Sequence, residues 1–374
     1  MPASKPGRPS VRFYVRFYDD DGKVIKTRAL KATSTTKAAI EAKAMYDAGV
    51  GTGADPLVVD LVRDAWTPGS PFLRKRSCSP SYVQTNNEVF QRHFAAGLAG
   101  VRFSRLNPAR VEKLMTALLD AGVGPRTVNY GRQTLTVVVA DHARAYRVPN
   151  PLQYLWKVPE DPRERGVLSP EEIGRIIALT PDLVSPRIRL AVLLGALCGL
   201  RLGEVRGLQR DDVDAERKLI RIRHNYVDNE GMKEPKAGST RTVPAPDVVL
   251  EAIELLAELV PGSPYAVAGR TPARPTSLKT IENGFAGILA LIGIDEAERK
   301  ERNLVFHGLR HSFVSLSRMA GVSDFLVQKL AGHKSSAMMD RYSHAPENIV
   351  DFSDARSRMA LAIESACLKA GGEA

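Results

Sequence analysis

Residues 11–18 alternate with period two: Val11, Phe13, Val15 and Phe17 on one face, Arg12, Tyr14, Arg16 and Tyr18 on the other. That pattern predicts a strand with one apolar face. Asp19, Asp20, Asp21 and Gly22 supply turn chemistry, so Lys23 to Leu30 is expected to return as the second strand of a hairpin. A helix is expected from Thr36 to Tyr46. Gly49 to Pro71 is rich in Gly, Pro and Asp, and residues 51–78 read as a linker.

From Ser79 to Arg147 the periodicity becomes helical. Asn107 and Pro108 form an N-cap followed by proline in the first helical position, and Gly122 is a stop signal. A further helix from about Pro125 carries Val128, Leu135, Val138 and Val139 on one side. Arg126, Asn129, Tyr130 and Gln133 fall on the opposite side.

Pro149, Pro151, Pro159 and Pro162 mark a boundary within 148–165. Ser169, Pro170, Glu171 and Glu172 then read as a capping box. Beyond it the pattern predicts an apolar helix at about 186–198, a strand pair around 218–224 and 240–244, and several helices. The last helix, 349–369, precedes a Gly-rich tail. The expected fold is mainly α with small β-sheets (α+β), divided into 1–50, a linker 51–78, a helical domain 79–150, a mixed domain 163–348 and a C-terminal segment 349–374.

Composition narrows the function. The 374 residues are 44% apolar and 25% charged, an ordinary globular balance, but 53 Lys+Arg against 42 Asp+Glu leave a net charge of +11. Such an excess draws polyanions, of which nucleic acid is the commonest. Two surfaces are candidate DNA contacts: Arg12, Tyr14 and Arg16 on the hairpin, and Arg126, Asn129, Tyr130 and Gln133 on the helix. Either face could equally be one that merely meets water. Cys78, Cys198 and Cys367 fit neither a disulfide framework nor a zinc motif, and the N-terminus lacks a signal-peptide pattern. The longest apolar stretch, Leu190 to Leu200, is too short to span a bilayer. A cytoplasmic protein with no membrane partner is expected.

Four separated segments carry candidate chemistry. The first runs Gly199, Leu200, Arg201, Leu202, Gly203, Glu204; the second places Lys236 at a turn before a strand. The third is His307, Gly308, Leu309, Arg310, His311, and the fourth holds Gly332, His333 and, nine residues later, Tyr342. Singly, each suits a surface ion pair or a solvated loop. His307 and His311 have the i, i+4 spacing of zinc ligands, but Gly308 stands where a metalloprotease needs its Glu, so no metal is expected. Asp211, Asp212 and Asp214 lie too close in sequence to build a two-metal site by themselves and are expected to be structural.

Together, in this order, the four segments resemble the catalytic domain of the tyrosine recombinases, the phage-integrase family, over roughly residues 165–346. The helical region before it, with Asn150 and Pro151, looks like the family's core-binding domain, and the N-terminal hairpin and helix are similar to its arm-binding modules. The resemblance implies that Tyr342 attacks a DNA phosphate, that Arg201 and Arg310 bind the non-bridging oxygens, and that His333 bonds one of them. It further implies that His307 accepts the tyrosine proton, that Lys236 protonates the departing 5′ oxygen, and that Glu204 orients its neighbours. A 3′-phosphotyrosine conserves the bond energy, so the resemblance implies no cofactor, metal or ATP. It also implies double-stranded attachment sites, a homotetramer on DNA, a C-terminal helix that could dock on a neighbour, and DNA-bending or excisionase accessory proteins. The expected activity is site-specific integration by a mobile element; the alternatives are an Xer-type chromosome-dimer resolvase and a DNA-binding regulator without catalysis.

Overall fold

The computed structural model describes residues 12–18, 24–31, 34–47, 55–161, 164–234 and 240–332, together with Ser357, Arg358, Ala360 and Leu361. The chain divides into two compact units, Met1–Asp161 and Pro162–Ala374.

In the first unit β1 (Tyr14–Tyr18) pairs antiparallel with β2 (Val24–Ala29), in a register running from Tyr14 opposite Ala29 to Phe17 opposite Lys26. The helix α1 (Thr35–Asp47) follows, with Ala38 buried. Where a linker was expected at 51–78, the described part instead holds two helices, α2 (Val58–Ala65) and α3 (Pro71–Arg74). The reason is a short apolar stripe: Val58, Val62, Ala65 and Trp66 recur at i, i+4, i+7 and i+8, and all four are buried in the core. Pro68 and Gly69 form the turn between the two helices, and Ser70 caps α3 by accepting from Leu73 N at 3.2 Å.

The helices α4 (Pro80–His93) and α5 (Pro108–Asp120) both start with a capping side chain and a proline in the first turn: Ser79 accepts from Tyr82 N, and Asn107 from Arg110 N at 3.0 Å. Gly122, at φ +82°, ends α5 as expected of a residue that tolerates the left-handed region. The long helix α6 (Pro125–Ala145) buries Val128, Leu135, Val138 and Val139. Asn129 departs from the polar face assigned to it, for it is only 6% exposed. Its amide donates to Val158 O at 2.8 Å and to Glu160 Oε1 at 2.7 Å, and its carbonyl oxygen accepts from Val158 N at 2.9 Å. The segment after α6 folds back and takes up this side chain, a long-range contact that helical periodicity cannot anticipate.

The second unit opens with α7 (Pro170–Ala178), whose capping box pairs Ser169 and Glu172 in both directions. The next helix, α8 (Pro186–Cys198), is apolar all round, so it becomes the centre of the unit, with Leu190 through Cys198 buried. It is followed by α9 (Leu202–Gly207) and the strands β3 (Val213–Asp214), β4 (Leu219–Ile222), β5 (Asn225–Val227), β6 (Gly231–Lys233) and β7 (Arg241–Pro244). Two small antiparallel sheets result: β3-β4-β7, with Ile220 opposite Val243, and the hairpin β5-β6. Helices α10 (Asp247–Leu259), α11 (Leu278–Leu291), α12 (Glu296–Glu301), α13 (Gly308–Met319) and α14 (Asp324–Ala331) complete the unit, and α10, α11 and α13 pack on α8. This is the α+β class expected: helices dominate and the sheets are small.

Candidate active site

Helix α8 ends at Gly199, whose φ of +67° would strain any residue with a side chain and whose added Cβ would lie 2.5 Å from Phe313. Two residues later Arg201 occupies the N-cap of α9 in extended conformation. Its backbone N donates to Glu204 Oε2 at 2.9 Å and its Nη1 to Glu204 Oε1 at 2.8 Å. Glu204 is 2% exposed. Burial alone would push its pKa up, but hydrogen bonds from Arg241, the charges of Arg241 and Arg201 and the Arg201 backbone hold it down at about 2. It is therefore an anion locked between two guanidiniums.

Arg310, in the first turn of α13, is also 2% exposed. Its Nη1 donates to Gly199 O at 2.7 Å, while its Nη2 is buried with no hydrogen-bond partner among the described residues. Burial and the charges of Arg201 and Arg241 lower its pKa to about 9, offset in part by Glu204. A buried guanidinium edge without an acceptor costs free energy until an anion meets it.

His307 sits at the N-cap of α13, whose first amides donate back to the preceding turn, Gly308 N to Val305 O at 2.7 Å and Leu309 N to Phe306 O at 3.1 Å. Burial, with the charges of Arg165, His311, Arg310 and Arg201, lowers its pKa to about 4, so at neutral pH the ring is uncharged and can accept a proton. The His311 ring stands 5.5 Å away, edge to face. Gly308 follows because a Cβ there would come 2.6 Å from Gly166 O, where the incoming chain passes. Ser312, one turn on, fixes that same chain by accepting from Leu168 N at 2.8 Å.

Arg201, Glu204, His307 and Arg310 thus come from two distant segments into one electrostatically connected cluster. Lys236, His333 and Tyr342 lie outside the described residues. Their described neighbours are Glu234 after β6, the strand β7, and Gly332, which caps α14 at φ +60°. Of the expected C-terminal helix 349–369, only Ser357, Arg358, Ala360 and Leu361 are described, in helical conformation.

Among the candidate DNA contacts, Arg12 and Tyr14 are exposed, Arg16 lies on β1, and Arg126 and Gln133 are exposed on α6. Tyr130 is half-buried, its hydroxyl accepting from Asn86 Nδ2 at 3.1 Å. Asn129 faces inward. Asp212 is buried and accepts from Arg223 Nε at 2.6 Å and Gln209 N at 3.1 Å, with His224 Nδ1 at 3.0 Å. Asp214 accepts from Arg217 N at 2.9 Å, and Asp211 is exposed. Asp212 and Asp214 thus tie loop segments together. Among the described residues no group of three His, Cys, Asp or Glu is placed to hold a metal ion, and no helix is long and apolar enough to cross a membrane.

The sequence reading missed Arg241. Its guanidinium is 7% exposed and spans Glu204, with Nη1 to Oε1 at 3.0 Å and Nη2 to Oε2 at 2.7 Å, while Nε donates to Leu330 O at 2.7 Å. The available signal was an arginine opening a strand otherwise made of Thr, Val and Pro.

Two paired arginines, a buried carboxylate between them and a neutral histidine, carried by a helical unit with two small sheets, form a site suited to holding an anion. Residues 166–348 match the phage integrase family, and this domain of the chain belongs to that family, the tyrosine recombinases. Tyrosine recombinase XerC from Mycobacterium sp. (strain KMS) is 28% identical over 222 residues, 56% of this chain and 65% of that protein. Tyrosine recombinase XerA from Thermococcus kodakarensis is 29% identical over 189 residues, 50% of this chain and 61% of that one. The chain therefore matches less than two thirds of the length of these two relatives. Among solved structures, the Tn1549 transposon integrase in complex with transposon right end DNA superposes with a TM-score of 0.59 at 19% identity, covering 81% of this chain and 98% of that chain. A lambda integrase dimer bound to a COC′ core site gives 0.59 at 17% identity over 94% and 98%. At such identities the likeness is one of fold.

Proposed function

We propose that this chain is a site-specific DNA recombinase of the integrase type that cleaves and rejoins DNA through a 3′-phosphotyrosyl intermediate on Tyr342, without metal or ATP. The observation that carries the proposal is the buried Nη2 of Arg310, without a hydrogen-bond partner among the described residues, beside the Glu204-anchored Arg201. Two guanidiniums that stay charged are matched to the two non-bridging oxygens of a phosphodiester, which gain charge as phosphorus becomes five-coordinate.

In the proposed reaction the Tyr342 hydroxyl oxygen forms a bond to phosphorus as its proton passes to His307. The bond from phosphorus to the 5′ oxygen breaks, and Lys236 protonates that oxygen. His333 donates to a non-bridging oxygen. Rejoining runs the same steps backward with a 5′ hydroxyl from the partner strand. Exchange between two duplexes takes four cleavages, hence four protomers; a lambda integrase tetramer bound to a Holliday junction is among the fold neighbours. Within the chain, residues 1–50 are proposed to bind arm DNA, the helices of 55–161 to bind core DNA, and 349–374 to dock on a neighbouring protomer. Accessory DNA-bending or excisionase proteins complete the proposal.

The test is Tyr342→Phe on a nicked duplex built from the sequence that the full-length protein selects from a random DNA pool. The variant should bind that DNA and form no covalent adduct; an adduct of undiminished yield would assign the nucleophile elsewhere. The XerC and XerA likenesses favour a second reading, a chromosome-dimer resolvase. Deleting residues 1–50 separates the two, because only an arm-binding integrase loses affinity for a second DNA sequence. Deleting 349–374 should weaken cooperative assembly on DNA, and unchanged cooperativity would exclude docking.

A further inference from the structure

Arg241 belongs to one catalytic segment and bonds two others at once. It sits on β7, five residues after Lys236. Two of its nitrogens hold Glu204, the partner of Arg201, and its Nε holds Leu330 O in the last turn of α14, just before His333. Arg201 reaches the same helix end, with Nη2 donating to Gly332 O at 3.1 Å. The final carbonyls of a helix have no partners of their own and carry its negative pole, so two cations there are favourable.

The charges decide what this arrangement achieves. Without Arg241, Glu204 would stand against Arg201 alone, and the carboxylate would neutralise the cation meant for the phosphate. With Arg241 bonded to both carboxylate oxygens, the anion is already compensated. Arg201 keeps its geometric anchor on Glu204 and retains its charge toward substrate. We propose that Arg241 is a positioning residue for strand cleavage, acting as the counter-charge of Glu204 so that Arg201 is both fixed and electrostatically free. The proposal rests on the recombinase function above.

The test uses the full-length protein on two nicked duplexes of the selected sequence, one with the natural scissile phosphate and one with a neutral methylphosphonate there. Single-turnover adduct formation is measured for wild type, Arg241→Met and Arg241→Lys at saturating DNA. Arg241→Met should cleave the natural phosphate slower by roughly two orders of magnitude, with DNA affinity within about threefold of wild type. On the methylphosphonate, where less charge develops, its deficit should shrink to about threefold. Arg241→Lys, which keeps the charge but not the fork, should lose on the order of tenfold on the natural phosphate. A partly unfolded preparation scales both substrates alike, so the ratio of the two deficits reports only the charge. Equal deficits of Arg241→Met on the two duplexes would overturn the proposal and make Arg241 merely structural. If wild type selects no sequence or forms no adduct, it is the recombinase reading that fails.

Discussion

Arg310 Nη1 donates to the carbonyl of Gly199 at 2.7 Å, so the residue that ends α8 also anchors the buried guanidinium of α13. The anchor needs a backbone conformation open chiefly to glycine, and the Phe313 ring fills the space where a Cβ would stand. Loop geometry and charge placement are one feature here.

Gly199→Ala should therefore destabilise the second unit by roughly 2–4 kcal/mol, combining left-handed strain with overpacking. Denaturant unfolding measures this. A loss below about 0.5 kcal/mol would mean that the helix end can rearrange without cost.

Glu204 gives acid stability a defined window. Its pKa is about 2 in the folded chain against 4.5 ordinarily. A carboxylate so depressed stabilises the fold above its unfolded pKa and loses that contribution as pH falls through the folded one. The contribution, on the order of 3 kcal/mol, should fade between about pH 4.5 and 2. Thermal midpoints of wild type should drop more steeply across that window than those of Glu204→Gln; parallel curves would contradict the assignment.

His307 is expected to titrate near 4 in the DNA-free protein, well below an ordinary histidine. Histidine NMR resonances, assigned by comparison with His307→Gln, check this directly. A midpoint near 6.5 would contradict the burial and the cationic surroundings assigned to this ring.

Asn129→Ala deletes three hydrogen bonds that pin residues 158–160 to α6. Stability of the first unit should fall by roughly 2–3 kcal/mol, while DNA affinity stays within about threefold. A large affinity loss in a protein of unchanged stability would restore Asn129 to the DNA-facing set.

Local rules carried much of the fold into view. Asn107 and Pro108, the Ser169 capping box and the apolar run of α8 all mark elements through interactions within a few residues. The order of the four segments assigns Arg201, Glu204, His307 and Arg310 to one expected site, and the fold brings these four into one cluster. What stayed hidden depends on contacts between distant residues. Val58, Val62 and Trp66 form too short a stripe to outweigh the turn residues around them, and their burial depends on helices far along the chain. Asn129 looked polar and outward until the 158–160 segment covered it. Arg241 resembled any arginine at a strand start, because its partners Glu204 and Leu330 lie 37 and 89 residues away.

The N-cap position of Arg201 has one further consequence. A long arginine side chain free in solution holds about 2 kcal/mol of rotamer entropy, which a flexible phosphate ligand surrenders each time it binds. Here the same carboxylate that bonds the Arg201 backbone also bonds its guanidinium, so the side chain is ordered by the start of a helix. That ordering cost falls on folding, once for the life of the molecule, and any anion that binds there finds the cation already immobilised.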